Sequence, residues 1–177
     1  KTDGLSKTNL SDLVEWSHAG PNNVGGRTRA LAVDVRDPNI VFAGGVSGGI
    51  WKSTNKGGDF SWQLKTKTDQ LFQISYLAQD TRSGHQDTWY AATGEYDHSG
   101  NVNGSAFLRG GGLYKSIDNG ESWELLPKPE DDPTAWDQPL DYVSKIDVSS
   151  TTGSTFISSH GFGIFKSTDE GNSFNLV

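Results

Sequence analysis

A short pattern that occurs three times, apolar runs around every copy, and many glycines and aromatics among few aliphatics predict an all-β fold. The architecture expected is a β-propeller, with the chain supplying about three four-stranded antiparallel blades of a larger ring. Of 177 residues only 33% are hydrophobic, yet 22 are Gly and 6 are Trp. That balance suits short strands joined by tight turns and gives a helical core too little Leu and Ala.

The repeat carries the prediction. Its first copy reads Gly48-Gly49-Ile50-Trp51-Lys52-Ser53-Thr54-Asn55-Lys56-Gly57, followed by Phe60. The second reads Gly111-Gly112-Leu113-Tyr114-Lys115-Ser116-Ile117-Asp118-Asn119-Gly120, followed by Trp123. The third reads Gly163-Ile164-Phe165-Lys166-Ser167-Thr168-Asp169-Glu170-Gly171, followed by Phe174. All reduce to apolar, aromatic, Lys, Ser, any, Asp or Asn, any, Gly, with a ring shortly after.

Two strand-like runs precede each copy and one follows it. They are Ala30–Val35 and Ile40–Gly44 before the first, with Phe60–Leu64 after it. Ile74–Gln79, Thr88–Ala92 and Ser122–Leu126 frame the second, and Val143–Val148, Thr155–Ser159 and Ser173–Val177 the third. Turn residues such as Asp37-Pro38-Asn39 and Ser83-Gly84 separate the runs. The expected division is a lead-in over 1–26, then blades over 27–65, 66–126 and 127–177. Glu15-Trp16-Ser17 in the lead-in is a candidate closing strand for another blade.

Each box has a physical reading as the turn between the third and fourth strands. The Ser hydroxyl and the Asp or Asn oxygen satisfy backbone N–H groups within the turn. Gly takes positive φ without strain, and the aromatic folds beneath as an anchor. The staple residues are therefore Ser53, Asn55, Gly57 and Phe60; Ser116, Asp118, Gly120 and Trp123; and Ser167, Asp169, Gly171 and Phe174. Ser beside Asp also suggests nucleophilic catalysis, but no His accompanies any box and the pair recurs in every blade.

These boxes resemble the BNR, or Asp-box, repeat of sialidases, sortilin-type receptors and xyloglucanase-like propellers. The stretch Gly20-Pro21-Asn22-Asn23-Val24-Gly25-Gly26-Arg27-Thr28-Arg29-Ala30-Leu31, with Ser47–Ser53 and Ala92-Thr93-Gly94-Glu95, is similar to large secreted Bacteroidota propellers. That resemblance implies a secreted or cell-surface bacterial protein and cargo of the type IX secretion machinery. The chain opens on Lys1 and contains no Met, as expected of a processed or excised segment.

Charge and cysteine content narrow the partners. The net charge is -7, which disfavours nucleic acid, since phosphate binding needs clustered Lys and Arg. The chain has no Cys, so thiolate chemistry and disulfides play no part. No apolar run is long enough to span a membrane as a helix. His18, His85, His98 and His160 lack metal-ligand spacing. Asp97–Gly104 places oxygen side chains at alternate positions, as a calcium loop does, but lacks the Gly and the final acid of an EF-hand. No cofactor is expected, with calcium as the alternative.

Antiparallel alternation sorts the loops by end. The boxes share one end with the turns between first and second strands; the second-to-third loops and blade connections share the other. Both long insertions, Gly94–Gly111 and Pro127–Tyr142, fall on that second end, where binding groups are expected. It presents Glu95, Tyr96, Asp97, His98, Phe107, Arg109, Glu130, Asp131, Asp132, Trp136 and Asp137. Tyr96, Phe107, Arg109, Trp136 and Asp137 are the candidate ligand-binding set, since rings cover sugar faces and acids accept hydroxyl hydrogens. The alternative is that the rings anchor their own loops. Arg27 and Arg29 lie on the innermost strand, to bind an anion or to pair with nearby carboxylates.

The expected function is a binding or adhesion module for a glycan or an extracellular protein, working with the remaining blades of its ring. The alternative is a glycoside hydrolase, with Glu95 and Asp97 as candidate acids. The resemblance to xyloglucanase-like enzymes implies a catalytic Asp just before the Gly-Gly of an early blade, where this chain reads Gly45-Val46-Ser47-Gly48-Gly49. The Arg-Ile-Pro motif implied by resemblance to sialidases is also absent.

Overall fold

A computed structural model describes residues 27–67, 72–96, 108–127 and 138–177. The lead-in and its candidate closing strand lie outside the described residues. The strands form three separate four-stranded antiparallel sheets. The first holds β1 (Thr28–Val33), β2 (Val41–Gly45), β3 (Gly49–Ser53) and β4 (Gln63–Leu64). The second holds β5 (Ile74–Gln79), β6 (Trp89–Thr93), β7 (Leu113–Ser116) and β8 (Glu124–Leu125). The third holds β9 (Val143–Val148), β10 (Thr155–Ser159), β11 (Gly163–Ser167) and β12 (Asn175–Leu176). Strand order follows chain order in every sheet, so these are three blades of a β-propeller. The outer strands are shorter than the sequence runs suggest, because the box turns consume the residues before them.

The boxes close as staples. Ser53, Ser116 and Ser167 are buried, and their hydroxyls accept the N–H of Gly57, Gly120 and Gly171 at 3.0, 2.8 and 2.8 Å. Asp118 and Asp169 each take a hydroxyl and an N–H from Ser122 and Ser173, at 2.6 and 2.9 Å. Burial raises the pKa of Asp118. The hydroxyls of Ser122 and Ser116 and the N–H groups of Ser122 and Glu121 outweigh it and hold the group at about 2. Asp169 also sits at about 2, held by the Ser173 and Ser167 hydroxyls and the Ser173 N–H. Lys56, Asn119 and Glu170, fourth in their boxes, all adopt left-handed φ of 53 to 59°.

Phe60 is a correction. It is 94% exposed, whereas Trp62 packs beneath the first turn, 3.1 Å from where a Cβ on Gly57 would lie. Two inserted residues displace the ring, so Ser61-Trp62 matches Ser122-Trp123 and Ser173-Phe174. The insertion also changes the wiring: Ser61 meets Ser53 at 2.7 Å and donates to the Gly58 carbonyl at 2.5 Å.

Lys52 and Lys115 each tie their blade to the next. Lys52 stands opposite Phe42, and Lys115 opposite Tyr90. Their ammonium groups lie 5.5 and 5.6 Å over those rings. Lys52 Nζ then donates to the Asn119 carbonyl and to Glu121 Oε1, both at 2.7 Å. Lys115 Nζ reaches Glu170 Oε2 at 2.8 Å and its carbonyl at 3.3 Å. The carbonyl taken belongs each time to the left-handed fourth residue. The Gly after it lies on the same aromatic: a Cβ at Gly120 would strike Phe42, and one at Gly171 would come 3.5 Å from Tyr90.

A second repeated staple secures the turns between inner strands. Arg36 and Arg82 donate backbone N–H to Asp34 and Asp80 at 2.8 and 3.0 Å. Burial raises the pKa of Asp80, but the Arg82 side chain and N–H leave it below the ordinary carboxylate range. The guanidinium groups also cross between blades, Arg36 to Asp87 and Arg82 toward the Thr152 carbonyl. Beneath these contacts lie two apolar clusters. Phe42, Ile50, Ile74, Leu77 and Trp89 fill the first interface, and Tyr90, Leu113, Val143, Ile146 and Ile157 the second.

Two outcomes follow. Replacing the lysines with Met should cost about 1–2 kcal/mol at Lys52, where the part-buried Asn119 carbonyl loses a donor and Glu121 keeps only Lys65. The cost should be smaller at Lys115 and close to zero at Lys166, read as urea midpoints. Separately, the low carboxyl pKa values of Asp118 and Asp169 stabilise the fold above the ordinary value of 3.8, and that contribution is lost as pH falls toward about 2. Asp118→Asn with Asp169→Asn should flatten the decline in stability over that acid range.

Candidate functional site

The end opposite the boxes gathers charge and rings from all three blades. Its scaffold is made of short hydrogen-bonded stems. Glu95 and Leu108 exchange backbone bonds at 2.7 and 3.0 Å, closing the base of the long β6–β7 loop. Gly110 N–H donates to the Asp141 carbonyl at 2.8 Å, and His160 N–H to Tyr142 at 2.9 Å. Gly94 makes this convergence feasible. Its φ is +99°, and a Cβ there would strike the Asp141 carbonyl.

Glu95 is 4% exposed and accepts from two guanidinium groups of the first blade. Arg29 Nη1 lies 2.6 Å from Oε1, and Arg27 pairs with Oε2. The arginines remain half-exposed, with side-chain values of 57% and 40%. Of the two uses expected for them, pairing with a carboxylate is realised. Arg109 Nε donates to Asp141 Oδ1 at 2.9 Å, and Asp141 Oδ2 accepts from the Gln138 N–H at 3.1 Å. Beside these ion pairs Tyr96 stacks on His160, with centroids 3.4 Å apart and planes 19° apart. Tyr142 meets Tyr96 edge-on at 5.8 Å.

Of the expected site residues, Glu95, Tyr96 and Arg109 lie together at this end. Asp97, Phe107, Trp136 and Asp137 lie outside the described residues, as does the Asp97–Gly104 loop. Tyr142 and His160 were not anticipated as members of the site. His160 follows β10 as Gly94 follows β6, so aligning the blades would have placed it on this end. Asp34-Val35-Arg36 and Asp80-Thr81-Arg82 were likewise legible as a second repeat and were not read as one.

Both oxygens of Glu95 accept from guanidinium groups, so neither is placed to pass a proton to a leaving group. Among the described residues no group of His, Asp and Glu could hold a metal ion. None of their helices is long and apolar enough to cross a membrane.

No protein-family model and no curated protein matches the sequence. Solved structures do. An ancestral GH74 enzyme is similar at 22% identity and a TM-score of 0.65, over 88% of this chain and 19% of that one. YCF48 from Cyanidioschyzon merolae is similar at 11% identity and a TM-score of 0.57, over 88% and 38%. An auxiliary nutrient binding protein from Bacteroides thetaiotaomicron is similar at 9% identity and a TM-score of 0.57, over 85% and 30%. The chain spans well under half the length of each. At such identities the likeness establishes the fold alone, and the fold is the β-propeller.

Proposed function

We propose that this propeller segment is a binding module that takes a glycan at the end opposite its boxes. The observation that carries the reading is the Tyr96, His160 and Tyr142 cluster beside the half-exposed Arg27 and Arg29. Rings cover the apolar face of a pyranose, and guanidinium groups donate to its hydroxyl or carboxylate oxygens. Phe107, Trp136 and Asp137, candidates from the sequence alone, belong to the same reading. Membership among BNR, or Asp-box, propellers and export by type IX machinery to the bacterial surface or medium belong to this reading. The GH74 enzymes and the nutrient binding protein that share the fold support it by analogy.

The hydrolase alternative is weaker, because Glu95 is committed to two arginines and only Asp97 remains of its candidate acids. An extracellular protein ligand is the other outcome of the test. A glycan array on the intact chain, followed by titration of its hits, should find that Tyr96→Ala weakens binding about tenfold or more. Asp118→Asn at the far end should leave affinity unchanged. An array without hits overturns the glycan reading, and turnover lost in Glu95→Gln favours the hydrolase.

A further inference from the structure

The two interfaces between blades are built to one rule, and the third blade carries half of a third interface. Phe156 and Lys166 are cross-strand partners, as Phe42 and Lys52 are in the first blade and Tyr90 and Lys115 in the second. The Lys166 ammonium lies 5.6 Å over the Phe156 ring, as in the other two. Lys52 and Lys115 then find a carboxylate in the following box, Glu121 or Glu170. Lys166 meets no carboxylate among the described residues. Ile164, in register with Ile50 and Leu113, is 54% exposed where those two are 0%.

Among the described residues, the opposite flank of the arc is uncovered in a complementary way. Leu31 is 71% exposed, while its counterparts Leu77 and Ile146 are 5% and 0%. By shape alone, a second copy could therefore set its first blade on the third blade of another, since Gly57 supplies the bare backbone that an aromatic requires. By charge it fits badly. The first box carries Lys56 where the third carries Glu170, and Gly58 where the second carries Glu121. A second copy would bring Lys56 against Lys166.

We infer that the exposed face of the third blade is a docking surface for a further blade bearing the same box with an acid at its fourth or sixth position. Lys56 bars a second copy from that place. Charge thus selects the neighbour while the aromatic and the glycine set the fit, a device that works by repelling the wrong partner as well as attracting the right one.

The chain's own first box is the probe. Both lysines are solvent-accessible and Glu170 already occupies the left-handed fourth position, so a Glu there is compatible with the turn. Sedimentation equilibrium should compare the unaltered chain, Lys56→Glu, Lys166→Glu and the double variant. Each single variant should tighten head-to-tail association about tenfold, and the double variant should return to the weak association of the unaltered chain. High salt should abolish the gain. Tight association of the unaltered chain that either single variant weakens would make a second copy the occupant and overturn the inference. Association that none of the charge changes moves would overturn it as well.

Discussion

Lys52 is a cation with 5% of its side chain exposed, lodged between a ring of its own blade and the turn of the next. The arrangement costs desolvation, which is offset only because every donor direction finds an acceptor or a π-face. Much of the repeat can be understood as service to that contact. The second strand needs an aromatic at Phe42 or Tyr90 to carry the ammonium. The box needs a left-handed fourth residue to present its carbonyl, and a glycine after it so that the backbone can lie on the ring. Because the donor comes from one blade and the acceptors from the next, the contact also gives the arc a direction.

The boxes were legible because their constraint is local. Ser116, Asp118 and Gly120 bond to one another within a single turn, so the sequence spacing is the geometry. Phe60 was misread for the same reason in reverse: a two-residue insertion leaves the local pattern intact by eye but moves the ring to Trp62. The lysine contact was hidden, since Lys52 and Asn119 belong to different blades and a lysine in a strand reads as a solvated one. The end that carries the site followed from antiparallel alternation, which placed Glu95, Tyr96 and Arg109 together. That Glu95 pairs with Arg27 and Arg29, and that Tyr96 stacks on His160, depends on how blades rotate against one another. No local pattern encodes that rotation.

The two ends of the blades therefore do different work. At the box end, polar groups are consumed in holding the turns and the neighbouring blades, and the carboxyls of Asp118 and Asp169 sit far below the ordinary range because serines surround them. At the other end the stems are short and closed, and they gather the buried carboxylates of Glu95 and Asp141 with their arginines beside the partly exposed rings of Tyr96, Tyr142 and His160. This division separates mutations that weaken the fold at the box end from those that bear on the candidate site at the other.

The most direct measurement is a double-mutant cycle between Lys52→Met and Glu121→Gln, read as unfolding free energies. A coupling of about 1 kcal/mol is expected, since the pair is close, partly buried and shared with the Asn119 carbonyl. The same cycle between Lys166→Met and Glu121→Gln should give none. Strictly additive losses at Lys52 and Glu121 would contradict a structure held together by its box lysines and would leave the apolar clusters alone to join the blades.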